Sequence, residues 1–414
     1  MIWPESPAAG PLGDSRLAIA HERPESVEAL SQFVGRHAAD GTAIYPQGGR
    51  TSLDYGGLPS RPGVIIDTTG LNRVIDYPHA DMTITVEAGL TLSAIAGVLD
   101  EHGQRLNVDA PQGDRATIGG IFACNATGPK RLGWGRPRDQ IIGISYVSAA
   151  GEPVKGGGRV VKNVAGYDLP KLLTGSMGTL GIISQLTLKV RPKPEACALA
   201  WRPIDDPAEI ERRLASLNMS GTRPVALELL NRAAARRVGG PVGLPEAAWV
   251  LVVGFEDNKA SVDWQVDRLQ SELDGCLSVL RDQESAPLWS ALAEFPAAEP
   301  GPLSFLANVV PSAVAGLAGS LDPEAWELGA HAGSGILRGH ALGDIERADA
   351  AIPALRAEAA RGKGSVVLTR CPADRKEALK VWGDPRPDWH LTERIKKALD
   401  PAGIMNPGRF LGTI

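Results

Sequence analysis

The chain has 414 residues, 43% of them apolar and 22% charged, and its 43 basic and 48 acidic side chains leave a net charge of −5. That length allows two or three domains with cores of their own, and the lack of a basic excess argues against nucleic acid or an anionic membrane surface as partner. Cys124, Cys197, Cys276 and Cys371 stand far apart with no CxxC pair, which speaks against iron–sulfur clusters, structural zinc and a disulfide framework.

Met1 to Asp14 is proline-rich and lacks a basic stretch leading into an apolar core. No apolar run reaches the ~20 residues of a membrane span. The expected location is cytoplasmic, with any attachment to the inner face of a membrane made through partners. From about Ser15 to Pro194, short β runs alternate with glycine clusters. Thr42–Tyr45, Val64–Asp67, Thr83–Glu87, Ile141–Ser148 and Gly181–Val190 read as strands. Glu25–Ala39 reads as a helix. Leu92, Ile95 and Leu99 line one face of another, with Thr91 placed to cap its first turn.

Arg191-Pro192-Lys193-Pro194 is expected to stop any regular ladder. Beyond it, apolar strands (Val225–Leu230, Trp249–Phe255, Ser304–Val310, Gly335–Arg338, Ser365–Thr369) alternate with helices such as Val262–Leu273 and Asp344–Arg361. This texture predicts a second α+β domain with a mostly antiparallel sheet. The closing stretch carries a helix over Glu393–Leu399 and the turn Asn406-Pro407-Gly408, and is too short for a domain. The expected division is 15–194, 195–390, and a segment 391–414 returning to the first domain.

Three glycine loops carry the chemistry. Pro46-Gln47-Gly48-Gly49-Arg50-Thr51-Ser52 follows a strand, and two glycines let consecutive N–H groups converge on an anion such as a diphosphate. It reads equally as an ordinary tight turn. Ala116-Thr117-Ile118-Gly119-Gly120-Ile121 runs into Ala123-Cys124-Asn125-Ala126-Thr127-Gly128. Its small residues suit a flat ring lying on the backbone, or a helix packed closely on a sheet. Gly175-Ser176-Met177-Gly178-Thr179-Leu180-Gly181-Ile182-Ile183 turns into a strand, preceded by the polar segment Lys162–Leu169.

In order and spacing, these loops resemble the vanillyl-alcohol-oxidase/PCMH-type FAD-binding superfamily over about Leu17 to Pro194. Asp400–Arg409 resembles that family's C-terminal return. Lys162–Leu169 and Gly175–Gly181 are most similar to the FAD-binding subunits of bacterial glycolate oxidases. The resemblance implies a two-part PCMH-type FAD domain plus an α+β cap domain. It further implies FAD contacts from Pro46, Gln47, Gly48, Gly49, Arg50, Thr51 and Ser52, from Pro111, Thr117, Ile118, Gly119, Gly120, Asn125 and Gly128, and from Gly178, Thr179, Gly181, Ile182 and Ile183. Relatives with covalent flavin use a histidine where this chain has Arg50, so FAD is expected to be non-covalent.

Relatives that oxidise 2-hydroxy acids alone carry H-x-G-D-G-N-x-H and a later Glu-His. A metal there polarises the substrate and a neutral histidine takes its hydroxyl proton. Here the stretch is His331-Ala332-Gly333-Ser334-Gly335-Ile336-Leu337-Arg338, and arginine neither ligates a metal nor acts as a base near neutral pH. No metal is expected. His331 and Arg338 remain the catalytic candidates, His331 reading first as a structural histidine and Arg338 as a carboxylate fork. Arg138, Asp139, Tyr167 and Asp168 read as structural network residues first. Gly333-Ser334-Gly335 leads into a strand instead of the helix of a Rossmann site, and no P-loop occurs.

The resemblance implies a redox subunit working beside a second FAD subunit and an iron–sulfur subunit on a small 2-hydroxy acid. Two other readings are a self-sufficient dehydrogenase and a non-catalytic assembly subunit.

Overall fold

A computed structural model describes residues 10–14, 16–158, 166–240, 242–274, 277–411 and 414. Ser15, the stretch Lys162–Ala165 singled out above, and Cys276 lie outside the described residues. The chain divides into two compact units. The first takes the described residues of Met1–Thr127, Arg136–Pro192 and Pro372–Ile414, and the second those of Gly128–Gly135 and Lys193–Cys371.

The first unit opens with a three-stranded parallel sheet. Its strands are β1 (Ala20–Glu22), β2 (Ala43–Gln47) and β3 (Gly63–Asp67), in the order β1-β3-β2. Helix α1 (Val27–Asp40) provides the crossover between β1 and β2. Ser26 caps it by accepting from the Ala29 N–H at 3.1 Å, and Gly41 ends it at φ 67°. Leu30 and Val34 of α1 pack with Ile44, Val64 and Ile66 of the sheet, together with Ile404 and Met405 from the end of the chain.

An antiparallel sheet follows, formed by β4 (Val74–Asp76), β5 (Thr83–Glu87), β6 (Ile141–Val147), β7 (Pro153–Gly157) and β8 (Ile182–Lys189), in the order β7-β6-β8-β5-β4. Val86 lies opposite Leu186 and Ile84 opposite Leu188, all fully buried. Period-2 alternation puts these residues on one face. Helices α2 (Leu92–Asp100) and α3 (Ile118–Cys124) cover that face through Ile95, Leu99, Ile118 and Phe122. As expected, the Thr91 hydroxyl caps α2, accepting from Ala94 N–H at 3.2 Å.

The second unit is built on one eight-stranded antiparallel sheet. Its elements include β9 (Ala196–Ile204), β10 (Ala226–Asn231), α4 (Arg232–Gly239), β11 (Trp249–Asp257), α5 (Lys259–Glu272), β12 (Ser278–Arg281), α6 (Asp282–Glu294), β13 (Ser304–Asn308), β14 (Trp326–His331), β15 (Ile336–Ala341), α7 (Ile345–Arg361) and β16 (Ser365–Arg370). Their order is β12-β9-β11-β10-β14-β15-β13-β16. Leu199, Trp201, Leu230, Val250 and Val252 of the sheet pack against Leu288 and Trp289 of α6. The architecture is the expected α+β one with mostly antiparallel sheets. Among the described residues no helix is long and apolar enough to cross a membrane.

Several details differ from the sequence reading. Arg191–Pro192 still pairs, as a two-residue ladder with Gln104–Arg105. β9 then begins at Ala196 in a stretch not read as a strand, and its Pro203 lies opposite Val250 of β11 while β12, on the other side, pairs only with Ala198–Trp201. The unit divisions also fall elsewhere. Lys376 is buried in the first unit against Asp14 (2.6 Å), so the return begins at Pro372, upstream of residue 391. Residues 128–135 join the second unit, where the Lys130 ammonium and the Trp134 indole N–H reach Glu256 at 2.8 and 2.9 Å.

Inside the second unit, His340 on β15 is buried between Ser304 and Phe295. Its Nε2 donates to the Phe295 carbonyl at 3.0 Å, which leaves Nδ1 to accept from the Ser304 hydroxyl at 2.8 Å. Burial, then the charge of Arg338, push its pKa from 6.5 down to about 3. The unfolded chain therefore takes a proton that the folded chain refuses, and stability is lost as pH falls from 6.5 towards 3. Replacing His340→Gln keeps a donor and an acceptor but removes the titration. The urea midpoint of the variant should fall less steeply than the parent's between about pH 6.5 and about pH 4.

Candidate functional site

Four segments of the first unit converge on one cleft, whose open space comes to about 910 Å³ with its mouth included. The first is the loop leaving β2. Thr68 anchors its start by donating to the Gln47 carbonyl at 3.0 Å, and Gln47 donates in turn to the Pro11 carbonyl at 2.8 Å. The loop then passes so close to residues 115–117 that a Cβ on Gly49 would lie 1.7 Å from the Arg115 carbonyl oxygen. Only glycine fits there. Among the described residues, the N–H groups of Gly49, Arg50, Thr51 and Ser52 make no hydrogen bond to another protein group. Backbone donors left open at a concave surface suit an anion.

The second segment is α3. Thr117 begins it as N-cap, its hydroxyl accepting from Gly120 N–H at 3.4 Å. A Cβ on Gly119 would meet Ala88 at 2.7 Å, so the helix start is pressed onto the end of β5. Gly120 is different, because its Cβ would meet only the Thr117 hydroxyl within 4 Å and otherwise open space. Asn125 ends the helix in the left-handed region, at φ 52°.

The third segment is the turn into β8. Met177 N–H donates to Ala123 O at 2.9 Å and Gly175 N–H to Phe122 O at 2.9 Å, which ties the turn to α3. Gly178 sits at φ 70° against Pro46.

The fourth segment is the C-terminal return. Helix α8 (Trp389–Leu399) carries Lys396, whose buried ammonium donates to Thr179 O (2.8 Å), Met405 O (2.7 Å) and Asp400 Oδ2 (2.6 Å). Asp400 also accepts from the N–H groups of Ile404 (3.0 Å) and Met405 (2.8 Å). Burial draws Lys396 below the usual lysine range and Asp400 counteracts it. Met405 is thereby laid parallel to Ile44, with Ile44 N–H donating to Ile404 O and Asn406 N–H to Ile44 O, each at 2.8 Å. Farther along, Arg409 donates to Asp14 Oδ2 and Gly57 O (both 2.7 Å), to Tyr55 O (2.9 Å) and to Leu53 O.

Of the residues expected at a cofactor, Pro46, Gln47, Gly48, Gly49, Arg50, Thr51, Ser52, Thr117, Gly119, Gly120, Gly178, Gly181, Ile182 and Ile183 line this cleft. Pro111, Ile118, Asn125 and Thr179 do not line it. Ile118 is a core residue, and the Thr179 hydroxyl donates to Ser176 O at 2.7 Å. Gly128 belongs to the second unit. The lining also includes Tyr45, Leu53, Cys124, Met177, Asn406 and Arg409, which the sequence reading did not assign as cofactor contacts. The resemblance of Asp400–Arg409 to a returning segment was the one signal for the last two. Burial pushes the Cys124 thiol up to about 11, against a bond to Ser52 and the charge of Arg409. Burial likewise pushes the Tyr45 phenol up to about 12, although it donates to Arg61 O at 2.6 Å.

The remaining candidates have local roles. Tyr167 is almost wholly exposed, and Asp168 caps a short helix and pairs with Lys171 at 2.7 Å. Asp139 accepts from Arg136 N–H at 2.9 Å, with Arg138 at 3.9 Å from it. In the second unit His331 ends β14 opposite Glu228 of β10, and Nδ1 meets Glu228 Oε2 at 2.7 Å. Its Nε2 is buried with no hydrogen-bond partner among the described residues. Arg338 stands on β15 opposite Gly329 and Leu306, two positions along from the residue paired with His331.

Comparison with known proteins adds likenesses of family, of sequence and of fold. Residues 19–157 match the family described as FAD binding domain, and residues 376–410 the family described as FAD linked oxidases, C-terminal domain. Glycolate oxidase subunit GlcE of Escherichia coli (strain K12) is 29% identical over 394 residues, covering 92% of this chain and 97% of that protein. The mitochondrial D-lactate dehydrogenase [cytochrome] of Arabidopsis thaliana is 28% identical over 425 residues, covering 94% of this chain and 72% of that protein. The crystal structure of p-cresol methylhydroxylase with substrate bound superposes with a TM-score of 0.73 at 18% identity, covering 97% of this chain and 91% of that one, a likeness of fold.

The Lys396–Asp400 pair gives the first test of how the cleft is held. Asp400→Ala leaves a buried ammonium and two backbone N–H groups without their acceptor, and should cost about 3–5 kcal/mol in a urea titration. Glu393→Ala, on the exposed side of the same helix, should leave the urea midpoint where it is.

Proposed function

We propose, on the premise that this chain belongs to the PCMH-type FAD-binding family of FAD-linked oxidoreductases, that it is the FAD-carrying redox subunit of a multi-subunit enzyme oxidising a small 2-hydroxy acid, glycolate in the first instance. FAD is its cofactor. The observation that carries the reading is the first unit's cleft, with its open N–H groups at Gly49–Ser52 and the unfilled space beside Gly120. The fit is chemical as well as spatial, since backbone donors suit a diphosphate and the small residues of α3 leave room for a flat ring. When bound, FAD supplies the two-electron acceptor. The loop residues 46–52 would hold its diphosphate, with Thr117, Gly119 and Gly120 beside them.

Attachment is non-covalent on this reading. Arg50 offers no nucleophile, and the Cys124 thiol, pushed up to about 11, is protonated and inert near neutral pH. Acid precipitation of the yellow protein should leave its colour in the supernatant, and a coloured pellet would contradict this.

The named relatives act on glycolate or D-lactate, which supports the 2-hydroxy acid class. Arg338 stands where a second metal-ligating histidine would be needed, and His331 is bonded to Glu228. This supports leaving substrate oxidation to a sister flavoprotein and onward electron transfer to an iron–sulfur subunit.

One observation favours a second reading, a self-sufficient dehydrogenase. Glu228 fixes the His331 ring through Nδ1 while Nε2 has no hydrogen-bond partner among the described residues, an arrangement able to accept a proton. Anaerobic addition of glycolate, then D-lactate, to the purified chain separates the two. The subunit reading expects the flavin absorbance to stay unchanged. Bleaching by either acid, lost in His331→Gln, would establish the second reading in its place. A further variant tests the cofactor site itself. Gly120→Leu puts a side chain into the cleft, its Cβ meeting only the Thr117 hydroxyl, and should abolish FAD retention while the unfolding free energy of the FAD-free protein in a urea titration stays within about 1 kcal/mol of the parent's.

A further inference from the structure

We propose that the outward face of α8 is a docking surface for an acidic amphipathic helix of a partner protein, which lays its apolar stripe on Leu391, Ile395 and Ala398 and its carboxylates beside Arg394. The proposal does not rest on the reading of the cleft as a cofactor site.

The helix is patterned against the usual order. A helix on a protein surface turns its apolar side chains inward and its charged ones to water. Lys396 of α8 is instead buried, together with Trp389, while Leu391 is 49% exposed and Ile395 37%. Ala398 is exposed as well. These three residues stand at steps of four and three, so they form one stripe along the helix. Exchanging the residue types at 395 and 396 would suit a helix that met only water on this side. The hydrogen bonds to Thr179 O, Asp400 and Met405 O account for the buried lysine. They leave the outward stripe unexplained.

Charge beside the stripe selects the occupant. Three and four positions from Arg394 on the helix surface stand His390, Leu391, Lys397 and Ala398, with no acid among them. Arg394 and Lys397 are exposed and make no hydrogen bond or ion pair among the described residues. Glu393, two residues on from Leu391 and so about 200° round the helix, lies off the stripe. The chain as a whole carries a net charge of −5, so this basic flank runs against its balance. Its complement is an apolar stripe edged with carboxylates.

Two other occupants fit less well. A twofold contact sets the same patch against itself, so a second copy of the chain would bring Arg394 and Lys397 against their own kind. A helix lying in a lipid surface buries a whole apolar face, with tryptophan at the boundary. Here Trp389 is turned inward, and only Leu391 and Ile395 are large enough to reach lipid.

The test is the fluorescence anisotropy of a labelled synthetic helical peptide titrated with the full chain carrying its FAD. The peptide has leucines at steps of four and three residues with glutamates beside them, and a second version carries lysines in place of the glutamates. The glutamate version should bind roughly tenfold more tightly than the lysine version, with the gap narrowing at high salt. Arg394→Glu should reverse that preference. Leu391→Ser combined with Ile395→Ser should remove the binding of both, while the thermal melt and the FAD content stay at the parent's values. Equal binding of the two peptides would overturn the proposal, as would binding that survives the double substitution. A melt lowered by several degrees, or FAD lost from the double variant, would make the stripe part of the fold and overturn it too. Sedimentation of the chain alone and flotation with phosphatidylglycerol–phosphatidylcholine vesicles cover the other occupants. A dimer, or vesicle binding, that the double substitution abolishes would put a second copy or a membrane on this face instead.

Discussion

The ammonium of Lys396 is the interaction on which the first unit's cleft depends. A buried ammonium is tolerated only when its donors are met, and here they are met by Asp400, Met405 O and Thr179 O. Those three oxygens belong to two segments more than two hundred residues apart, so one group fixes the C-terminal return against the turn into β8. Met405 is then aligned along Ile44. Ile44 lies in the strand that ends in the glycine loop, so the loop's starting point is set by the same contact. Arg409 and Lys376 extend the arrangement, binding the carbonyls of Leu53, Asp54, Tyr55, Gly56 and Gly57 around Asp14. Cations bound to carbonyls hold a non-repetitive strap in place where no ladder can.

This explains why the glycines are where they are. Gly49 against the Arg115 carbonyl and Gly119 against Ala88 are contacts without slack. They are useful only if the opposing segments are held to within a fraction of an ångström, and the buried pairs supply that precision.

Much of the fold was legible because its signals are local. Thr91 followed by Leu92, Ile95 and Leu99 announces a capped amphipathic helix, and the helix is there. Strands such as Thr83–Glu87 and Ser304–Asn308 stand out as apolar runs between turn residues. Ala196–Ile204 and Trp326–His331 were hidden for physical reasons. The first lies just beyond two prolines and contains a third, Pro203, which pairs with Val250 on one side and has no partner strand on the other. The second is short and interrupted by Glu327 and Gly329, and Glu327 is made tolerable by Arg237, 90 positions earlier in the chain. The cleft shows the same division. The glycine loops were readable as runs, with Tyr45 directly before the first and Met177 inside the third, but Arg409 reaches the cleft through long-range packing that no spacing encodes. Glu228 could not be found as the partner of His331 for the same reason, since 103 residues separate them.

The chemistry of the cleft lining also limits what the first unit can do alone. Its titratable side chains are Tyr45, Arg50, Cys124 and Arg409. Burial drives the phenol to about 12 and the thiol to about 11, and arginine keeps its proton throughout. None of them accepts a proton near neutral pH. Oxidising an alcohol releases two electrons and two protons, one hydrogen leaving the carbon with the electron pair as hydride and the other leaving the hydroxyl as a proton, so a lining built this way suits holding an electron acceptor and leaves the base for the hydroxyl proton to be supplied elsewhere. In the second unit, His331 has its ring oriented by Glu228, and its Nε2 has no hydrogen-bond partner among the described residues. The cleft lining, as far as the described residues show it, holds no side chain suited to take the alcohol's proton, so the base for such a step has to come from outside that lining.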